Sequence, residues 1–187
     1  AVLAAPAQSN ADQIALNSVQ LQAIRMDSAF ADGEYYDAAD GDGPHQGLAL
    51  ARRMALLNYR SPTELNDRFA RSWQSGLSPL GGGGRYAVES YLDYHGNKFT
   101  RRFDANSYLT VVEAMSSHDV GRGRGGTAQA LARVTARALV LGIDSDRGNT
   151  PEKIAAYAKE NGVTYPILKD EGNVYADKLN AKQTPEV

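Results

Sequence analysis

A chain of 187 residues, 42% hydrophobic and 22% charged, has the composition of a soluble globular protein long enough to bury a sizeable core. Its net charge of −2 argues against nucleic acid as the main partner, because phosphate recognition needs a concentrated basic surface. Zero cysteines exclude disulfides, thiolate metal sites and thiol catalysis, and no apolar run approaches membrane-spanning length.

The opening Ala-Val-Leu-Ala-Ala-Pro-Ala lacks the basic leader and the apolar stretch of a signal peptide, and the chain begins without Met. Residues 1–5 read as the tail of a strand cut mid-protein. Ser9 or Asn10 can cap a helix carrying Ile14, Leu16, Val19, Leu21 and Ile24, ended by Ala31-Asp32-Gly33. The acids there (Asp32, Glu34, Asp37, Asp40, Asp42) lie in or beside a polar loop, 33–47, without the EF-hand pattern, so solvated loop is preferred over calcium site. Leu48 to Tyr59 predicts the next helix. Arg52 and Tyr59 stand two turns apart and project from one face, while Arg53 reads as a snorkelling surface residue.

Ser61-Pro62-Thr63-Glu64 restarts a helix, and Gly81 to Gly84 reads as a hinge; no Lys-Ser/Thr follows it, as a phosphate cradle would require. Tyr86 to Asp104 predicts two short helical pieces around His95-Gly96, with Tyr86, Tyr91, Tyr94, Phe99 and Phe103 as packing aromatics. Gly121 to Gly126 formally fits Gly-x-Gly-x-x-Gly. The preceding Tyr108, Val111, Val112 and Met115 have helical spacing, whereas the dinucleotide fingerprint needs a strand there. His118-Asp119 is a conceivable base and acid, but a structural loop is the better reading. Leu139 to Ile143 then predicts a buried strand, and Asp144 and Asp146 fall at its carboxyl end, where chemistry collects in α/β sheets.

A break in composition follows. All fourteen Arg lie at or before Arg147, and five of the six Lys lie after it. Folding alone has little reason to sort two solvated cations this way, so residues 148–187 read as a region of separate origin. Thr150-Pro151-Glu152 starts a helix bearing Ile154, Ala155, Tyr157 and Ala158, with Gly162 as its C′ residue. Val163 to Leu168 predicts an edge strand interrupted by Pro166, followed by a turn at Asp170 to Asn173 and a short helix from Val174.

Residues 47–60, Gly-Leu-Ala-Leu-Ala-Arg-Arg-Met-Ala-Leu-Leu-Asn-Tyr-Arg, together with residues 116–147, resemble the homoserine O-acetyltransferases, a branch of the α/β-hydrolase superfamily. The resemblance implies the α/β class: a partial α/β-hydrolase with a helical lid over residues 1–147. Residues 148–187 resemble thioredoxin-like redoxins and would form a short βα-type tail, Thr184-Pro185 matching that family's cis-proline. The redoxin cysteines are missing, so no redox activity carries over.

The acetyltransferase resemblance implies transfer of acetyl from acetyl-CoA, a co-substrate, to the hydroxyl of homoserine through an acetyl-serine, without metal or other cofactor. Asp146 would be the triad acid, and Arg52 and Tyr59 would line the substrate cleft, the guanidinium fork suiting an amino-acid carboxylate. No Gly-x-Ser-x-Gly elbow is present, and His45, His95 and His118 all precede the acid, against the superfamily order. The chain as given is therefore expected to be inactive. A succinyl donor, a serine acceptor, or a non-catalytic helical dimerisation module are the alternatives. A homodimer through the lid helices and a cytoplasmic location are further implications.

Overall fold

The computed structural model of the protein describes residues 6–39, 41–136, 140–143, 156, 159–160 and 167–170. The chain divides into two compact units, Asn10–Ser117 and a second made of Ala1–Ser9 with His118–Val187.

The unit Asn10–Ser117 is helical. Helix α1, Ala11–Arg25, starts on a reciprocal cap: the Asn10 side chain accepts from Gln13 N at 2.9 Å, and the Gln13 side chain accepts from Asn10 N at 3.1 Å. Its inward face is Gln20, Leu21 and Ile24, whereas Ile14 and Val19 are exposed. The helix stops at Arg25, earlier than the sequence suggests. A separate 3₁₀ turn, Ser28–Gly33, follows, with Ala31 and Asp32 in the left-handed region at φ of 46° and 52°.

Asp27, between the two, joins three segments. One carboxylate oxygen accepts from Ala29 N at 3.0 Å and the other from Gly47 N at 2.7 Å. Helix α2, His45–Tyr59, has Pro44 at its N-cap and no side-chain cap of its own, so Asp27 satisfies one of its free N–H groups. This helix begins a turn earlier than Leu48. Helix α3, Pro62–Phe69, is capped by Ser61 with Pro62 in its first turn, as its sequence predicts.

Residues 86–104 depart from expectation. They form one continuous helix, α4, Ala87–Thr100, rather than two pieces around His95-Gly96. Gly96 is buried in its interior, and a Cβ there would lie 2.9 Å from the Ala49 carbonyl oxygen of α2. The glycine admits a neighbouring backbone and does not end the helix. Gly47 does the same on the other side of α2, where a Cβ would lie 2.6 Å from the Ala23 carbonyl oxygen of α1. Helix α5, Ala105–Ser116, is capped by Asp104 and packs on α1. Leu21, Ile24, Phe30, Leu48, Ala51, Phe99, Ala105, Tyr108, Leu109 and Val112 make the core.

In the second unit, Gln8 and Asp119 form an antiparallel bridge, with Ser9 N donating to His118 O and Val120 N to Ala7 O, both at 2.9 Å. Gly121–Gly126 is a tight turn closed by Arg124 N to Gly121 O at 2.9 Å, leading into a short helix α6, Thr127–Leu131. Strand β1 is Val140–Ile143, in the region predicted for it. It pairs in parallel with β2, Ile167–Asp170, in the register Val140↔Ile167 through Ile143↔Asp170. The described tail strand overlaps the end of the predicted one and takes in Asp170, which the sequence places in a turn; residues 163–166 lie outside the described residues. It pairs on β1, as an edge strand can. Ala156, Lys159 and Glu160 are helical, as predicted for that segment. Residues 1–5, Leu139, the turn after Asp170 and the helix predicted from Val174 lie outside the described residues.

Candidate carboxylate-binding site

Arg52 sits midway along α2, on the face turned toward α4, and only 4% of it is exposed. Its guanidinium carbon lies 4.9 Å from the Phe99 ring centroid and 5.6 Å from that of Tyr59. The two-turn spacing therefore does put Arg52 and Tyr59 on one face. Tyr59, 46% exposed, stands at the solvent end of the cluster, and Arg52 lies behind it. Among the described residues no carboxylate comes within ion-pair distance of Arg52; the four ion pairs involve Arg25, Arg53, Arg60 and Arg85. A buried guanidinium is costly unless paired, and two π faces return only about 2 kcal/mol when desolvated. The site is therefore a held cation with its charge unspent, a disposition that suits a planar carboxylate.

Two further residues stand behind Phe99. Phe99 meets Tyr108 of α5 edge-on, centroids 5.9 Å apart and planes at 82°. The Tyr108 hydroxyl donates to Gln20 Oε1 of α1 at 2.5 Å, and Gln20 Nε2 donates to Leu16 O at 3.1 Å. Burial pushes the Tyr108 phenol well above its ordinary range, helped by Tyr59, while Arg52 works in the opposite direction. Tyr108 is thus a neutral hydroxyl at any physiological pH. Gln20 and Tyr108 have no motif to announce them. The available signal is a polar residue, Gln20, on the same helical stripe as Ile24.

Asp146 and Asp144 lie outside the described residues, so their geometry relative to Arg52 is not part of this site. Arg53 is ion-paired to Asp93 at 2.8 Å on a partly exposed flank of α2, in keeping with a surface role. His118 bonds the Pro6 carbonyl at 3.0 Å through Nε2, and Asp119 accepts from Gly121 N at 2.7 Å. His118 is thus engaged with the amino-terminal segment and Asp119 with its own turn. The glycine-rich stretch follows helix α5 and not a strand, which removes the context a dinucleotide fingerprint requires. His95 packs its ring against Tyr91 and Tyr94.

No protein-family profile matches the chain. Curated relatives do. A homoserine O-acetyltransferase of Clavibacter michiganensis subsp. michiganensis is 76% identical over 147 residues, 79% of this chain and 38% of that protein. One of Leifsonia xyli subsp. xyli is 74% identical over 147 residues, 37% of its length. The chain thus spans under two fifths of the curated relatives it matches, and the matched length equals that of residues 1–147. Among solved structures, a homoserine O-acetyltransferase from Bacillus anthracis superposes with a TM-score of 0.72 at 20% identity, covering 87% of this chain and 44% of that one. Esterase E22 superposes at 0.69 with 20% identity, covering 94% and 50%. These likenesses show the α/β-hydrolase fold. The redoxin likeness of residues 148–187 finds no support among the relatives.

Proposed function

We propose that this chain is a segment of a homoserine O-acetyltransferase, an acyltransferase passing acetyl from acetyl-CoA to homoserine, and that Arg52 and Tyr59 serve its acceptor site. The buried Arg52, inside the 47–60 motif and without a carboxylate partner among the described residues, is the observation that carries the substrate assignment. Identity of 76% over 147 residues supports the family. Homoserine brings a carboxylate that two parallel N–H groups of a guanidinium can grip, which leaves its hydroxyl free to take the acyl group. Tyr59, at the outer end, would close over that carboxylate. Asp146 would orient the triad histidine, and the helical unit would contribute to a homodimer working in the cytoplasm. The tail 148–187 is proposed to have a separate origin on the strength of the Arg and Lys sorting alone.

The test is a chimera in which residues 1–147 replace the matching segment of the Clavibacter enzyme. It should release CoA in the presence of homoserine. Arg52→Ala in that chimera should raise KM for homoserine by about tenfold or more, while KM for acetyl-CoA stays put. Equal loss toward both substrates would remove Arg52 from the acceptor site. An inactive chimera of native fold would remove the family assignment.

A further inference from the structure

We infer that Phe99 and Tyr108, braced by Gln20, form a positioning platform that fixes the direction of the Arg52 guanidinium. The usefulness of that platform rests on the reading of Arg52 as a carboxylate receptor; its existence does not.

Gln20 is 4% exposed, and a buried amide is costly unless its donor and acceptor are both used. They are, by Leu16 O on one side and the Tyr108 hydroxyl on the other. Swinging the Tyr108 ring out of place would break a buried hydrogen bond and strand the Gln20 oxygen. Tyr108 in turn stands edge-on to both Phe99 and Phe103, at 82° and 87°, while Phe103 stacks on Phe99 at 18° with centroids 4.9 Å apart. Phe99 is wedged among rings, and its own ring is the one nearest to the Arg52 guanidinium carbon. With no described carboxylate paired to Arg52, that wedge, with the half-exposed Tyr59 ring at 5.6 Å, is what orients the guanidinium. Four helices each contribute one member: α1 Gln20, α2 Arg52, α4 Phe99 and α5 Tyr108. A bidentate grip on a carboxylate tolerates only about 0.5 Å of misplacement, so a rigid support matters more here than at a surface arginine. A plain apolar core would fill positions 20 and 108 equally well without this directional bond.

The test uses the 187-residue chain and reads the Arg52 Nε–H signal by nitrogen-15 NMR, assigned by its loss in Arg52→Lys. In the parent chain this proton should exchange slowly with water. Gln20→Leu combined with Tyr108→Phe replaces both partners by apolar groups of similar shape, so the melting temperature should change little. Exchange at Arg52 should nonetheless quicken by about tenfold, because local opening becomes easier. Phe99→Leu leaves the Gln20–Tyr108 bond in place and should quicken exchange to a similar degree, which keeps the test open if the double variant does not fold. Unchanged exchange in a folded variant of either kind would overturn the platform. A parallel titration with L-homoserine and with its carboxylate-free analogue homoserinol separates the two claims. Quickened exchange together with homoserine binding that is insensitive to Arg52→Lys would leave the platform standing and defeat the substrate reading.

Discussion

At Gly47 the backbone of α2 lies so near α1 that a Cβ has no room: the Ala23 carbonyl oxygen would be 2.6 Å away and the Ile24 Cα 2.8 Å. Gly47→Ala gains about 1 kcal/mol of helix propensity. It also forces two backbones apart, at a cost of about 1–3 kcal/mol. The clash should win, lowering the midpoint of chemical denaturation; a raised midpoint would show that α1 can yield. Asp104 makes a second residue-scale case. Burial works to raise its pKa, but hydrogen bonds from Tyr35, Ser107 and Tyr36 outweigh it and hold the carboxyl below its ordinary 3.8. A depressed carboxylate stabilises the fold fully above that ordinary value, and the stabilisation is lost as pH falls through the lower, folded-state value. Asp104→Ala should cost about 1–2 kcal/mol at neutral pH through loss of the α5 cap. It should also flatten the acid limb of the stability curve. An acid limb identical to the parent's would show that Asp104 is not the titrating group.

Among elements, α2 is the one whose start depends on another segment. Its own N-cap position, Pro44, offers no side-chain acceptor, and Asp27 reaches across from the end of α1. Asp27→Ala should therefore fray α2 at its first turn and loosen the 3₁₀ turn beside it, costing about 1 kcal/mol or more. Amide exchange would read this as faster opening at Gly47 and Ala29, with Ala55 and Leu56 unaffected; equal quickening along the whole helix would mean global destabilisation instead. The caps of α1 and α3 were legible in the sequence because Asn10 and Ser61 act on N–H groups three residues away. Asp104 caps α5 in the same way, but in the sequence it reads as the end of the preceding helical stretch. The start of α2 was not legible, because its capping group lies twenty residues upstream of the N–H that it serves. Helix α4 was misread for a related reason. A glycine that breaks a helix and one that admits a neighbour carry the same letter, and only the presence of α2 against Gly96 tells them apart.

For the whole molecule, the pairing of β1 with β2 crosses the position where Arg gives way to Lys. Since Val140–Ile143 and Ile167–Asp170 share one ladder, their amides should gain and lose exchange protection together. Protection in β1 with none in β2 would show that the pair does not persist in solution. The chain as given carries no Gly-x-Ser-x-Gly elbow, the motif that the proposed acyl-serine route would require. Mixed with acetyl-CoA and homoserine it should release no CoA above background; turnover on the order of 1 s⁻¹ would require a nucleophile outside that motif.

By itself the sequence determined the features that one segment can settle: the caps of α1 and α3, the strand at residues 140–143, the helix before the glycine-rich turn, and the shared face of Arg52 and Tyr59. Each follows from periodicity or from side chains acting within a turn or two. Tertiary structure alone decided which face of α1 is buried, that Gly47 and Gly96 are contact points between helices, and that Arg52 meets Phe99, which packs on Tyr108, which in turn bonds Gln20. Phe99, Tyr108 and Gln20 come from three different helices, and nothing in local spacing relates them. Burial leaves Arg52 without a carboxylate among the described residues, and that isolation turns a basic residue in a helix into a candidate receptor. Sequence can supply the charge, but whether its partner is withheld depends on how α1, α2, α4 and α5 pack around it.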